Sequence, residues 1–437
     1  MLKISEIKKY SADKLVLLGL LVLSLLLARL IIASKSRILF SGPITLEYTG
    51  LSVSIPSGKG WINEKSWRKK GDSFILSSIF DPGIRKVVTS ILCQYILASN
   101  NSSTNTQFDQ KALNLDGKIV KTDRITNDTL TIDWVHIESQ KKRFNVLFGI
   151  AKLPNNRQLN IEVRQSTGDL KSAKELFSGI VKNLKFENNP LLDSGSEIIA
   201  KIKQKGLIYY SNKIKLEKFF LIKDGKKDNL GFAVDIIVDS GDDSELNIHG
   251  ASAFYTRGKT GSEQVTFFKS KNDFNEFIWK IETSGPLDNY SNEVVLKENG
   301  IITIRKLSQR AVEKNYQINA FSIPDILSEF VFFEMLANDY QEIIVDIIEA
   351  DGTISPALIK KESTKTNSEQ VFRVEFLNNK AASQLIYFDN QGQIWKKLFL
   401  QQDISLEMCN IEDIAREFPE RADYTMLKDK ILNKNAF

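Results

Sequence analysis

The chain has 437 residues, 42% of them hydrophobic and 26% charged, a balance that fits two or three globular domains and excludes a disordered or fibrous chain. Its 59 basic and 54 acidic side chains are interspersed without a basic stripe or arginine-rich tail, so the net charge of +5 argues against nucleic acid as a partner. Cys93 and Cys409 are the only cysteines; they exclude a disulfide scaffold, and their apolar neighbours suit inert buried thiols.

Residues 15–33 form a near-continuous apolar run behind Lys3, Lys8, Lys9 and Lys14. At ~1.5 Å of rise per residue, a helix of that length reaches roughly 28 Å, about the thickness of a bilayer's hydrocarbon core. Arg29 stands near its far end, where the side chain can snorkel to the headgroups. The run reads as a single membrane anchor and residues 1–14 as a cytoplasmic tail. The lysine-rich upstream flank places the body on the extracytoplasmic, periplasmic side. A cleaved signal peptide is the competing reading, because residues 15–28 fit its apolar region. Its cleavage site is poor, with Ile31 two positions before Ala33.

Residues 44–187 read as strands followed by one strong helix. Runs at 44–48, 51–55, 74–80, 87–98, 130–137, 144–152 and 159–163 are β-rich and bounded by turn residues such as Pro154, Asn155 and Asn156. The period then changes. Ala173, Leu176, Phe177, Ile180, Val181 and Leu184 fall on one face of an amphipathic helix, which must cover the sheet. Two stretches carry a family likeness: Ser-Ile-Pro-Ser-Gly-Lys-Gly-Trp at residues 54–61, and the closing Phe177-x-x-Ile180-Val181-x-x-Leu184-x-Phe186. Together they resemble PsbP/Mog1-like domains. That resemblance implies a binding or assembly module rather than an enzyme, and it carries no functional residue to this chain.

Residues 188–204, with Asn188-Asn189-Pro190 and Asp193-Ser194-Gly195-Ser196, read as a polar linker open to limited proteolysis between residues 187 and 197. Beyond it, residues 205–437 are punctuated by Asp224-Gly225, Asn299-Gly300, Asp351-Gly352 and Asp389-Asn390-Gln391-Gly392. Such turns between apolar runs mark antiparallel hairpins that need positive φ. One interruption, at 324–339, has Ile326, Leu327, Phe330, Phe333 and Leu336 in a helical stripe, with Ser322 and Asp325 at its start. The fold class is therefore α+β. An N-terminal transmembrane helix precedes an α/β sandwich with an antiparallel sheet and a covering helix, and then a large antiparallel β-meander domain with one packed helix. By topology alone the last resembles lipoprotein-carrier half-barrels, a likeness that carries no function.

No residue pattern demands a chemistry. Ala253-Phe-Tyr-Thr-Arg-Gly258-Lys259-Thr260 matches a relaxed phosphate loop, yet a strand-like run from Val265 follows where a helix N-terminus is needed. His136 and His249, the two histidines, suit structural places in strands. Asp239, Asp242, Asp243 and Glu245 offer oxygen ligands without the spacing of a calcium loop. Ser11 and Lys14 match Ser-x-x-Lys only ahead of the apolar run. The expectation is no catalytic residue, no cofactor and no metal.

Phe219, Phe220, Phe254, Tyr255, Phe267, Phe268, Phe332 and Phe333 either line a ligand cavity or form core, and Phe254, Phe267, Phe268, Phe330 and Phe333 are the candidate ligand or partner surface. The function expected is a membrane-anchored, extracytoplasmic, non-catalytic binding or scaffold protein of the cell envelope, partnered by the membrane and by envelope proteins. The alternative is a carrier of lipid or an apolar small molecule on the concave face of the last sheet. One helix cannot cover so large a sheet, and the expected cover is protein, because Leu327, Phe330 and Phe333 supply a helix able to fill the concave side.

Overall fold

The computed structural model describes residues 16–17, 19–27, 38–68, 73–80, 89–97, 103–139, 141, 143–166, 170–213, 215, 217–226, 228–238, 244–255, 261–285, 289–307, 312–363 and 370–419. Within the apolar run, residues 16–17 and 19–27 are helical and exposed. Arg29, the rest of residues 15–33 and the tail 1–14 lie outside the described residues. No helix among the described residues is long and apolar enough to cross a membrane.

Strands β1 (Ile44–Leu46) and β2 (Leu51–Val53) pair across a turn in which Tyr48 and Gly50 take positive φ. A seven-stranded antiparallel sheet follows. Its strands are β3 (Trp61–Trp67), β4 (Ser73–Phe80) and β5 (Thr89–Ile96), then β6 (Lys118–Thr126), β7 (Thr131–Ser139), β8 (Phe144–Leu153) and β9 (Arg157–Ser166), in the order β3-β4-β5-β9-β8-β7-β6. Helix α1 (Thr104–Asn114) precedes β6 and packs Phe108 and Ala112 on Val135, Val146 and Phe148 of one sheet face. Helix α2 (Leu170–Asn183) covers the other face and buries the expected stripe of Ala173, Leu176, Phe177, Ile180 and Val181. Gly149 permits that approach, since a Cβ there would stand 2.7 Å from the Phe177 ring. Strand β10 (Lys185–Phe186) returns to pair with β2. The sheet-plus-helix expectation holds, but β3, β6 and α1 escape sequence reading. The two strands are sheet edges with mostly exposed side chains, which erases alternation, and α1 buries too few residues to show a period.

The linker expectation fails over most of 188–204, because helix α3 spans Pro190–Lys205. Asn189 accepts a hydrogen bond from Leu191 N (3.0 Å) and Pro190 occupies the first turn, which is how a helix starts rather than how a chain breaks. Gly195, Ile198, Ile199 and Ile202 fall at i, i+3, i+4 and i+7 and are all buried. A Cβ on Gly195 would lie 1.9 Å from Ile344 O, so α3 sits directly against the large sheet. A short helix α4 (Leu207–Ser211) follows.

The large sheet then builds hairpin by hairpin through β11 (Glu217–Asp224), β12 (Asn229–Val238), β13 (Glu245–Tyr255), β14 (Gly261–Lys271), β15 (Phe277–Ser284), β16 (Tyr290–Leu296), β17 (Ile301–Leu307) and β18 (Val312–Gln317). After β19 (Ser322–Pro324), a 3-10 turn (Asp325–Leu327) and helix α5 (Ser328–Ala337), a second meander runs through β20 (Glu342–Ile348), β21 (Ile354–Glu362), β22 (Gln370–Phe376), β23 (Gln384–Phe388), β24 (Ile394–Phe399) and β25 (Ile404–Cys409). The two meanders make one fifteen-stranded sheet because β11 pairs with β25. Glu407 ties that seam: Lys223 and Lys396 each donate to its carboxylate at 2.7 Å and hold its pKa down to about 2.

Three details correct the sequence reading of this domain. Strand β19 runs parallel to β20, so the sheet is not wholly antiparallel. More than one helix packs on it: α3, α4 and α5 share the core of the inner face, while α6 (Ile411–Glu417) closes the outer face, where Ile414 and Phe418 meet Leu221, Phe232 and Val234. Ser322 lies within β19 and Asp325 within the 3-10 turn, and no side chain caps α5. Of the expected turn glycines, Gly300, Gly352 and Gly392 take φ of +73°, +78° and +76°, whereas Gly225 stays outside the left-handed region.

A buried polar clasp joins the two halves. Arg157, at the start of β9, forms an ion pair with Asp346 on β20; the two side chains are 4% and 0% exposed. Arg157 Nη1 donates to Leu97 O (2.6 Å), and its guanidinium lies 4.6 Å from the centre of the Phe321 ring. Asn319 Nδ2 donates to Leu97 O (2.6 Å) and to Asp346 Oδ2 (2.9 Å), while Asn156 Nδ2 donates to Ile318 O (3.0 Å). Removing one member strands a buried charge. In chemical denaturation, Arg157→Met should therefore cost about 3–5 kcal/mol, and adding Asp346→Leu to it should restore most of the loss. An equal loss in the single and double variants would contradict this explanation.

Candidate functional site

Alternation along the strands of the first meander places a polar row on the inner face. Lys218 on β11 lies opposite Asp235 on β12, Asp235 opposite Gly250 on β13, Gly250 opposite Thr266 on β14, and Thr266 opposite Ile281 on β15. The next row toward one end is Ile237, Ile248, Phe268 and Trp279. Across from them, the 3-10 turn and the start of α5 contribute Asp325, Ile326, Ser328, Glu329 and Phe330, and β24 contributes Ile394 and Lys397. These groups enclose a cleft of about 300 Å³. Gly250 is needed there: a Cβ would stand 2.8 Å from Asp235 Oδ1, so any other residue crowds the carboxylate.

The cleft is lined by three basic side chains, Lys215, Lys218 and Lys397, and three acidic ones, Asp235, Asp325 and Glu329. Lys218 reaches past Asp235 to form an ion pair with Glu329, and both side chains are almost fully buried. Lys215, at the rim, carries its Nζ to 3.7 Å from Met408 Sδ. Asp235 and Asp325 are both exposed, and both line the cleft. Burial pushes the carboxyl of Asp235 above the usual carboxylate range, against the pull of Lys397 and Lys218. Asp325 is raised by burial too, against Lys397 and a hydrogen bond with Ser328. Neither histidine nor cysteine lines the cleft.

The five aromatic candidates are not gathered. Phe330 lines the cleft and stacks on Tyr210 with ring centroids 5.1 Å apart. Phe268 is core, packed on Phe277 and Trp279. Phe267 points to the other face of β14, its ring edge-on to His249 at 5.0 Å. Phe254 is half-buried beside Gly231 and Ser262 in register, away from the cleft, and Phe333 packs on Phe388. The Tyr255 side chain lies outside the described residues. The charged residues Lys218, Asp235, Asp325, Glu329 and Lys397 escape a search for motifs, yet Asp235 carried a signal: it is a lone carboxylate in the apolar strand Phe232-Ala-Val-Asp-Ile-Ile-Val238.

His136 is held structurally, with Nε2 2.9 Å from Asn145 Oδ1. Strand β14 begins at Gly261 and pairs with Tyr255, so residues 256–260 connect two strands and no helix follows Lys259-Thr260; that tip, most of the acidic loop at 239–245, and the Ser11–Lys14 pair lie outside the described residues. No group of three metal-ligating side chains occurs among the described residues.

No protein-family model and no curated protein matches the chain. Among solved structures it is similar to a beta-barrel-like protein of domain of unknown function DUF1849 from Brucella abortus, at 9% identity and a TM-score of 0.35, covering 45% of this chain and 98% of that one. It is also similar to the tail fiber of Staphylococcus aureus phage P68, at 11% identity and a TM-score of 0.10, covering 83% of this chain and 70% of that one. Both scores fall below those of a shared fold, so the architecture rests on the strand pairing described above.

The raised carboxyl of Asp235 has a consequence for stability. Its folded pKa lies above the unfolded value, so it costs stability as pH rises above about 3.8, its ordinary value, and costs nothing below it. In thermal unfolding Asp235→Asn should be the more stable protein at neutral pH, with the gain vanishing near pH 3. A variant that is less stable at neutral pH would contradict a carboxyl that the cleft walls partly desolvate.

Proposed function

We propose that the chain is a membrane-tethered, non-catalytic binding protein of the cell envelope, and that its large sheet holds a small polar ligand in the cleft. The observation that carries this reading is the polar row from Lys218 through Asp235 and Gly250 to Thr266, which keeps an open, charge-lined space inside an otherwise apolar face. Charged groups collected in one cleft of an otherwise apolar face support a polar rather than an apolar occupant. The same row disfavours the lipid alternative. An acyl chain entering the cleft would desolvate Asp235, Asp325 and Lys397 without replacing their water. The rest of the inner face is covered by α3, α4 and α5, which supports an intramolecular protein cover over a lipid-filled concavity.

Tethering is supported by the exposed apolar helix at residues 16–17 and 19–27, and the extracytoplasmic side by the lysines ahead of it. The resemblance of residues 44–187 to PsbP/Mog1-like domains rests on residue pattern and is compatible with α2 lying on an antiparallel sheet. It suggests that this half meets other envelope proteins. Native mass spectrometry of the full chain released from detergent should show no lipid retained after micelle removal; a stoichiometric lipid that survives purification would return the carrier reading. Protease added to osmotically opened cells should digest the body, and protection there would overturn the assigned side.

A further inference from the structure

Resting on the reading of a tethered body, we propose that the exposed face of α2 lies on the bilayer surface and takes anionic lipid headgroups. The apolar run ends at residue 33, and the chain is pinned to the body by residue 40. There Ser57 N donates to Leu39 O (2.9 Å) and Ser41 N to Ile55 O (2.8 Å). Phe40 sets its ring on α2 at Gly179, where a Cβ would stand 2.3 Å from it. Seven residues of chain span at most roughly 25 Å. The end of the run and this point on α2 stay within that distance of each other, so the α2 side of the body is the side nearest the bilayer. Leu39, beside Phe40, leaves its side chain 64% exposed, which suits an interfacial contact.

Charge selects what that side meets. The stripe of α2 from Ala173 to Val181 is buried on its own sheet. Away from it, Lys171, Glu175, Ser178 and Lys182 follow at i, i+4, i+7 and i+11, with Lys174 on the flank, and all five are exposed. Three lysines thus stand against one glutamate, and no ion pair engages the lysines among the described residues. Each lysine near an anionic leaflet favours the docked position about fivefold, so two net charges favour it roughly twenty-five-fold. The tether supplies the rest by holding the helix close to the surface. A protein partner is disfavoured on this face, because its exposed residues include no apolar side chain to serve as an anchor.

Two readouts on the full chain separate the tether from the face. Flotation with phosphatidylcholine vesicles reports the tether alone and should be complete. Contact of α2 with the surface is read from a bimane label on Ser178→Cys in a Cys409→Ser chain, Cys93 being buried, quenched by lipids with a spin-labelled headgroup. Adding about 30% phosphatidylglycerol to the vesicles should raise that quenching severalfold, and salt at about 0.5 M should remove the gain. Lys171→Gln, Lys174→Gln and Lys182→Gln together should abolish the gain, whereas Lys171→Arg, Lys174→Arg and Lys182→Arg together should keep it. All three positions are exposed, so the fold is retained. Quenching that ignores lipid charge, or a gain that survives the glutamine changes, would overturn the docking face and leave the tether standing. A chain that fails to float with phosphatidylcholine vesicles would overturn the tether and the face with it.

Discussion

The buried ion pair between Arg157 and Asp346 fastens the seven-stranded sheet to the fifteen-stranded one. Burying two charges is expensive, and the cost is offset only where both are close-paired and hydrogen-bonded. Here Leu97 O, Asn319 and the Phe321 ring supply most of that shell, while Arg157 Nε and Asp346 Oδ1 stay without a hydrogen-bond partner. The members come from four separate stretches: the residue after β5, the start of β9, the β18–β19 connection and β20. No one of them can leave without stranding a charge or a donor. The clasp therefore fixes the seven-stranded sheet on the fifteen-stranded one, and α3 packs on β20, the strand that carries Asp346. Ile198, Ile199 and Ile202 are buried on the face it turns to that sheet.

The cleft depends on the same point. Phe321, whose ring lies against Arg157, is followed directly by β19 and then by Asp325, Glu329 and Phe330. Asp346 N also donates to Phe321 O at 2.9 Å, so the chain that delivers one wall of the cleft leaves from a rigid anchor. Helix α5 is held at its other end by Glu334, which accepts from Tyr210 Oη (2.6 Å), from Lys205 and from Asn338. Burial alone would raise that carboxyl, but these three donors keep it below its ordinary range. The wall carrying Asp325 and Glu329 is thus positioned from both sides, which is what a preorganised site requires.

What was legible in the sequence follows the strength of each local signal. The α2 stripe and the glycine turns at 300, 352 and 392 could be read because periodicity and positive φ leave marks on residue type. Edge strands β3 and β6 could not, since their side chains face water on both sides. Helix α3 was misread although Asn189-Pro190 and the Gly195, Ile198, Ile199, Ile202 spacing stood in view; its polar first turn resembles a linker until the apolar face is counted. The cleft was the least legible part. Its groups come from β11, β12, β24 and the turn before α5, and only strand register brings Lys218 opposite Asp235. Of the candidate aromatics, Phe220 and Phe330 reach the cleft and the other described ones lie in the core or on other surfaces of the sheet, because aromatic residues mark buried volume more often than they mark ligands.

Through Arg157 and Asp346 the clasp makes one cooperative body of the two sheets. Urea unfolding of two single-tryptophan forms tests it most directly, one keeping Trp134 in the seven-stranded sheet and the other Trp279 in the fifteen-stranded sheet. Each probe reports its own sheet in an otherwise nearly identical chain. Coincident midpoints and slopes are the predicted result. Two separated transitions, with one sheet melting while the other stays folded, would contradict it.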